Sequence, residues 1–353
     1  MRSSATSFTI IRRAVFVLLI GSIALQALGQ ARLDPSFQTN PNFWSPEQRA
    51  AATGFVEEQI AALGSDDEAR ISTGRENLIA QLGGGATERF VNQYAELVAT
   101  QTAPLVGAEK LKTRVNAMLV LANMPHLDAL PPALRGLDDP SAGVRYPAVL
   151  AVGEHLRSGR LVGLQRDEAL TELARRVVDE DEVYIVKPMF DAMLGVEGAI
   201  PAVLDALNAR LAWHVDRPTA PYFPERDTIQ DVTSRLLVSS QRRNDDVRQL
   251  ARVGYRYLRL AAAQLAEGRV PEGRAKEHVD LVRVAASSLA FTHGDLDANR
   301  VAPGAPIEAL ERGNWDAVIG VADDWLDILK QPPFDFTDAD LQVGESAPQA
   351  AGN

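Results

Sequence analysis

Leu134-Arg135-Gly136-Leu137-Asp138-Asp139-Pro140, followed by Val144-Arg145 and Ala148-Val149-Leu150-Ala151-Val152, is the stretch on which the fold turns. A short apolar helix ends at paired aspartates and a proline, and an alanine- and valine-rich helix follows at once. The aspartates cap that second helix and complement the positive end of its dipole. One such pair cannot bury its own apolar face, so it is stable only when stacked on another pair. The stretch therefore predicts neighbours of its own kind.

They are found on both sides. Arg75-Glu76-Asn77-Leu78-Ile79, Arg114-Val115-Asn116-Ala117-Met118, Arg145-Tyr146-Pro147-Ala148-Val149 and Val186-Lys187-Pro188-Met189-Phe190 align as four second helices. Their anchors Asn77, Asn116, Pro147 and Pro188 lie 39, 31 and 41 residues apart, which are helix-pair repeat lengths. Between them fall turns such as Gly83-Gly84-Gly85, Met124-Pro125 and Asp179-Glu180-Asp181. Pro147 and Pro188 fall early in their helices, where a missing N–H costs least, and mark a bend. No segment alternates with the period of a strand.

On these residues, the chain from about 46 to 212 resembles the HEAT family, including its shorter PBS-lyase-like variant. The resemblance implies an all-α fold, an α-solenoid of stacked antiparallel helix pairs, with a less regular helical C-terminal part. The organisation read along the chain is a signal peptide at 1–29, an extended linker at 30–43 and helical repeats at 44–215. A proline-rich aromatic loop at 216–226 follows, then a helical region at 227–330 of degenerate repeats or a capping bundle, and a disordered tail at 331–353. Ser45 caps the first repeat helix, with Pro46 at N1 and Gln48 completing a capping box.

Composition agrees. Hydrophobic residues make up 46% of the chain and aromatics only 6%, which favours close helix packing over aromatic sheet cores. The net charge of −11 includes three arginines of the leader, Arg2, Arg12 and Arg13, and disfavours nucleic acid as a partner. The leader itself has a basic start, an apolar run from Ala14 to Leu28 and small residues near Gly29 and Ala31. That is the pattern of a cleaved secretory signal, cut after Gly29 or Ala31, and its apolar run is too short to span a bilayer. The expected location is periplasmic or secreted, with no membrane span after cleavage. With no cysteine there is no disulfide, lipid anchor or thiolate site.

No catalytic motif is found. His126, His155, His214, His278 and His293 form no H-x-x-x-H pair and are read as solvated or partly packed surface histidines. Asp295-Leu296-Asp297-Ala298-Asn299 begins like a calcium loop, but Arg300 and Pro306 stand where glycine and glutamate are needed, so a capped inter-helix loop is preferred. No cofactor or metal is expected.

Two surfaces are candidates for a partner. Arg248, Arg252, Arg256 and Arg259 share an arc of about 80° on one helix, opposite the apolar Val247, Leu250, Ala251, Gly254 and Leu258. Such a stripe can hold an anionic partner through bidentate contacts, or simply be a solvated face paired with the chain's own carboxylates. Trp213, Tyr222 and Phe223 flank Pro218, Pro221 and Pro224; the aromatics either anchor a partner or fold back as a plug between the two halves. The expectation is an exported, non-enzymatic scaffold or adaptor binding a protein or peptide along the concave face of the stacked pairs. The alternative is a helical enzyme or accessory domain acting on an acidic or glycan substrate with Asp316, Asp323, Asp324 and Asp327. Trp44, Trp213, Trp315 and Trp325 are too dispersed in sequence to suggest a sugar-lined groove.

Overall fold

The structure, a computed structural model, describes residues 32–240, 242–297, 301–304 and 306–343. The leader and its cleavage sites lie outside the described residues. Among those residues the regular structure is helical, with no strand. The chain divides into two compact units, Met1–Pro132 and Ala133–Asn353.

In the first unit, α1 (Pro35–Thr39), α2 (Pro46–Leu63), α3 (Glu68–Ala80), α4 (Glu88–Thr102) and α5 (Leu111–Leu121) follow in order. Helix α2 packs on both α3 and α4, and α3 on α5, so each helix touches its partner and the equivalent helix of the next pair. This is the packing order of a helical-repeat solenoid. The capping box at Ser45 forms, with Gln48 N–H donating to Ser45 Oγ at 3.2 Å and Ser45 N–H to Gln48 Oε1 at 3.0 Å. Arg75 of α3 donates to Asn116 of α5 at 2.7 Å, and Lys110 pairs with Asp66 at 2.6 Å, so neighbouring second helices are also linked across their polar edges. Gly74 is required: a Cβ there would lie 2.9 Å from both the Ala62 Cβ and the Gln59 carbonyl oxygen, because α3 and α2 touch backbone to backbone.

The extended linker expected at 30–43 is corrected. Asp34 caps α1 with Pro35 at N1, and Leu33 and Trp44 are buried. The segment is sewn to α4: Thr87 N–H donates to the Gln38 carbonyl at 2.8 Å, and Trp44 N–H to Gln93 Oε1 at 3.1 Å. The Trp44 ring meets Phe90 edge-on at 5.9 Å, and Phe90 stacks on Tyr94 at 5.3 Å. Pro35, one of the prolines that suggested a linker, starts a helix instead.

The second unit contains α7 (Ala142–Arg157), α8 (Leu164–Asp179), α9 (Val183–Leu194), α10 (Ile200–Val215), α11 (Phe223–Val238), α12 (Asn244–Ala266) and α13 (Glu272–Leu296); the division between units falls within α6 (Leu130–Gly136). Packing follows the same rule: α7 on α9, α9 on α11 and α11 on α13 form one layer, and α8 on α10 and α10 on α12 form the other. The repeat order thus runs past Val215, where the sequence pattern fades. Helices α14 (Ile307–Glu311), α15 (Trp315–Leu329) and α16 (Asp338–Leu341) complete the unit, with α15 and α16 both against α12. Pro147 and Pro188 lie inside α7 and α9, and Gly153 lets those helices close, its missing Cβ standing 3.0 Å from the Ala192 Cβ.

The tail expected to be disordered from 331 is also corrected over 331–343. Phe334, Phe336 and Leu341 are buried, Thr337 and Asp340 form a capping box, and the segment lies on α12. The Pro-, Asp-, Gly-, Ser- and Ala-rich composition that suggested disorder is interrupted by three apolar side chains, Phe334 and Phe336 ahead of the helix and Leu341 at its end, and all three are buried. Among the described residues no helix is long and apolar enough to cross a membrane.

Candidate functional site

The arginine stripe sits on α12, but it is not a solvated face. Arg256 is buried and donates to Asn208 Oδ1 of α10. Its pKa is lowered by burial and by the neighbouring Arg252. Arg248 donates through Nε to the Phe334 carbonyl at 3.1 Å and lies 5.6 Å from the Phe336 ring centre. Arg252 approaches Asp340 at 4.0 Å, and Arg259 approaches Asp323 at 3.4 Å. Arg252 and Arg259 thus face the chain's own carboxylates, Arg248 and Arg256 meet a carbonyl and an amide oxygen, and the C-terminal segment lies against Arg248 and Arg252. Arg252 Nε and Arg256 Nε are buried with no hydrogen-bond acceptor.

Tyr222 is completely buried and precedes the first residue of α11, so the aromatic loop is shorter than 216–226 and the plug reading is the one the packing matches. Its ring stacks on His214 at 4.0 Å and meets His278 and Tyr257 edge-on at 4.9 and 6.2 Å. Its hydroxyl donates to Gln264 Oε1 at 3.1 Å, and Gln264 Nε2 donates to the His214 carbonyl at 3.0 Å. Phe223 is half-buried at the first position of α11. Trp213 is half-buried as well: its Nε1 donates to Asp181 at 3.0 Å, and the guanidiniums of Arg210 and Arg217 lie 4.4 and 4.5 Å from its ring centre.

Beneath these aromatics is an ionic cluster that sequence reading did not find. Arg210 and Glu225 are both fully buried, joined Nε to Oε1 at 2.5 Å, with His214 Nε2 at 3.0 Å from the same carboxylate oxygen. Arg210 Nη1 also donates to the Val177, Val178 and Glu180 carbonyls at 2.7, 3.1 and 2.9 Å, satisfying the C-terminal end of α8. Burial pushes the Glu225 pKa up, but His214 and Arg210 outweigh it and hold the carboxyl below its ordinary range. The cluster binds α8, α10 and α11 into one body. With Arg210, His214 and Glu225 all fully buried, its contacts are with the fold itself.

The histidine reading needs correction for the same reason: His155, His214, His278 and His293 are buried. Among flat aromatic rings an imidazole packs well and finds a polar partner, as His278 does at Gln264 Oε1, 3.2 Å away. Asp295 lies inside α13 and is gripped by Arg242, with Nε at 3.1 Å from its carboxylate; residues 298–300 of the calcium-like loop lie outside the described residues. No cluster of potential metal ligands occurs among the described residues.

A cavity of about 490 Å³ lies beside the stripe, floored by Leu260, Ala263, Leu326 and Leu341 and rimmed by Arg259 and Arg269. Its carboxylates, Glu267 and Asp338, face cations, Arg269 at 3.5 Å and Lys330 respectively. Asp316, Asp323, Asp324 and Asp327 do not line it. A glycosidase needs one carboxylate free as acid and another as base or nucleophile, and this arrangement does not supply that pair.

The layer of second helices in this unit carries a different kind of surface. Tyr146 and Leu150 of α7, one turn apart, are 39% and 40% exposed, and Tyr184 of α9 is 51% exposed. The two tyrosine rings stand 6.2 Å apart. The flanking charges are committed to each other: Arg145 forms a two-point pair with Glu180 at 2.7 and 2.8 Å, and Lys187 bridges α9 to Asp231 of α11 at 2.9 Å. Two rigid rings thus remain in solvent on a scaffold whose charges are already satisfied. The sequence signal was available, since Tyr146 stands beside the repeat anchor Pro147 at an outward position, but Tyr184 is out of register with it.

No family model matches the chain, and no curated protein matches it. Among solved structures, a designed armadillo repeat protein is 16% identical over 67% of this chain and 99% of its own, with a TM-score of 0.41. Crystal structures of two engineered proteins are each 13% identical, covering 76% and 84% of this chain and 97% and 98% of their own, both with TM-scores of 0.35. The assignment as an all-α helical-repeat solenoid rests on the packing order within each unit and does not extend to one named repeat family.

Proposed function

We propose that this protein is an exported, non-enzymatic scaffold that holds a protein or peptide partner on the second-helix face of its repeats. The observation that carries this is the Tyr146–Leu150–Tyr184 patch. Monomeric proteins seldom leave paired aromatics in water on a rigid helical surface, and such rings lose little entropy on binding. Aromatic anchors surrounded by already-paired charges are the composition of a binding hot spot. Export is inferred from the leader alone, and the partner is met in the periplasm or outside the cell.

The test is site-specific photo-crosslinking in the native envelope. A photoreactive phenylalanine analogue at Tyr184 is expected to give one discrete adduct, and the same analogue at Thr171, exposed on α8 in the opposite layer, is expected to give none. Identical adduct patterns at the two positions would refute the assignment of the face.

A further inference from the structure

The C-terminal segment is attached to α12 in an unusual way. Its backbone N–H groups bond locally: Phe334 and Asp335 to the Gln331 carbonyl, Phe336 to Leu329 and Asp340 to Thr337. Side chains hold it to the repeats. Phe334 stacks on His293 of α13 at 6.4 Å, beside Trp325; Phe336 lies by the Arg248 guanidinium; Asp340 faces Arg252; and Leu341 is buried. The remaining main-chain tie is Arg248 to the Phe334 carbonyl. These are the contacts a bound peptide makes: aromatic anchors in slots, one carbonyl clamp and charge pairing.

The fit is incomplete. Arg252 and Asp340 are 4.0 Å apart, and Arg252 Nε and Arg256 Nε have no acceptor. A cavity of about 490 Å³ borders Leu341, Gln342 and Val343. Buried, unsatisfied guanidinium donors favour any occupant that brings better-placed carboxylates. We infer that the arginine face of α12 is a docking site for acidic aromatic peptides and that residues 334–341 occupy it in cis as a displaceable stand-in. The partner is a peptide with two aromatic side chains two residues apart, followed by a carboxylate and an apolar residue. The arginine stripe lies on α12, in the other helix layer, and the site shares no residue with the tyrosine patch.

The test uses the full chain and a fluorescein-labelled peptide of residues 331–343 read by anisotropy. Phe334→Ala with Asp340→Ala weakens the cis segment without leaving a charge at 340. That variant is expected to bind the peptide at least about tenfold more tightly than wild type does. Adding Arg252→Glu is expected to abolish binding, and a peptide carrying lysine in place of Asp340 is expected to restore it. No binding by the released variant up to about 1 mM, or binding indifferent to Arg252→Glu, overturns the inference. Hydrogen exchange on the wild-type chain supplies a readout that needs no variant. The amides of 334–341 are expected to exchange ahead of the α12 core, and protection equal to that of α12 would show the segment to be core and overturn the inference too.

Discussion

Replacing Arg210 with methionine removes one side chain and breaks four contacts at once. Arg210 is wholly buried and meets the Glu225 carboxylate at 2.5 Å and three carbonyls of the α8 terminus within 3.1 Å. Methionine fills much of the space but leaves Glu225, also wholly buried, with His214 alone. Removing one partner of a buried pair costs about 3–5 kcal/mol, because the remaining charge is stranded. Hydrogen bonds from a charged donor are worth about 1.5–3 kcal/mol each, but these are shared by one group and do not add. We expect a loss of about 4 kcal/mol, measured by urea unfolding at pH 7.5 followed by circular dichroism. Glu225→Gln alone is expected to cost about 2–3 kcal/mol, and the double variant less than the sum by at least about 2 kcal/mol. A loss below about 1 kcal/mol for Arg210→Met, or strict additivity in the cycle, would refute the claim that this cluster ties α8, α10 and α11 together.

Further outcomes follow from the packing and the titration of buried groups. Gly153→Val places a side chain where the Ala192 Cβ already stands 3.0 Å away, and thermal unfolding is expected to report about 1–3 kcal/mol of destabilisation. Tyr222→Ala empties the centre of an aromatic stack and is expected to cost about 3–5 kcal/mol by the same assay, whereas Tyr184→Ala, on the surface, is expected to stay within about 0.5 kcal/mol. The pKa of His278 is lowered from 6.5 by burial, so between the two values the unfolded chain binds the extra proton. Stability therefore falls as pH drops from 7.5 through 6.5 toward the lower folded value. His278→Gln is expected to flatten that part of the urea-midpoint profile. Glu225 acts with the opposite origin and the same direction at lower pH: its depressed folded pKa gives stability that is full above 4.5 and is lost as pH falls through the folded value.

The parts of this fold that can be read from sequence are those set by local chemistry. Ser45, Pro46 and Gln48 specify a helix start by their side chains alone, and the capping box forms where they stand. The helices 244–266 and 315–329 begin and end within a residue of the spans their periodicity gives. What could not be read depends on partners distant in the chain. Leu33 looked like a linker residue because its partner, Gln81, lies at the end of α3, and Phe334 like part of a disordered tail because its slot is made by His293 and Trp325. Arg256 fell on the polar arc of a helical wheel, yet Asn208 of another helix draws it inside. Periodicity says which side of a helix is apolar; it does not say that a second layer covers the polar side. Buried histidines were missed likewise, since no local pattern marks an imidazole such as His278 or His293 that will meet an aromatic ring more than thirty residues away.

The most direct test of the scaffold reading measures affinity for the protein captured by crosslinking at Tyr184, comparing wild type with Tyr146→Ala plus Tyr184→Ala by calorimetry. The account predicts a weakening of at least about 30-fold, the size of a hot-spot loss of about 2 kcal/mol, with the melting temperature unchanged. Unaltered affinity in a fully folded double variant would contradict it.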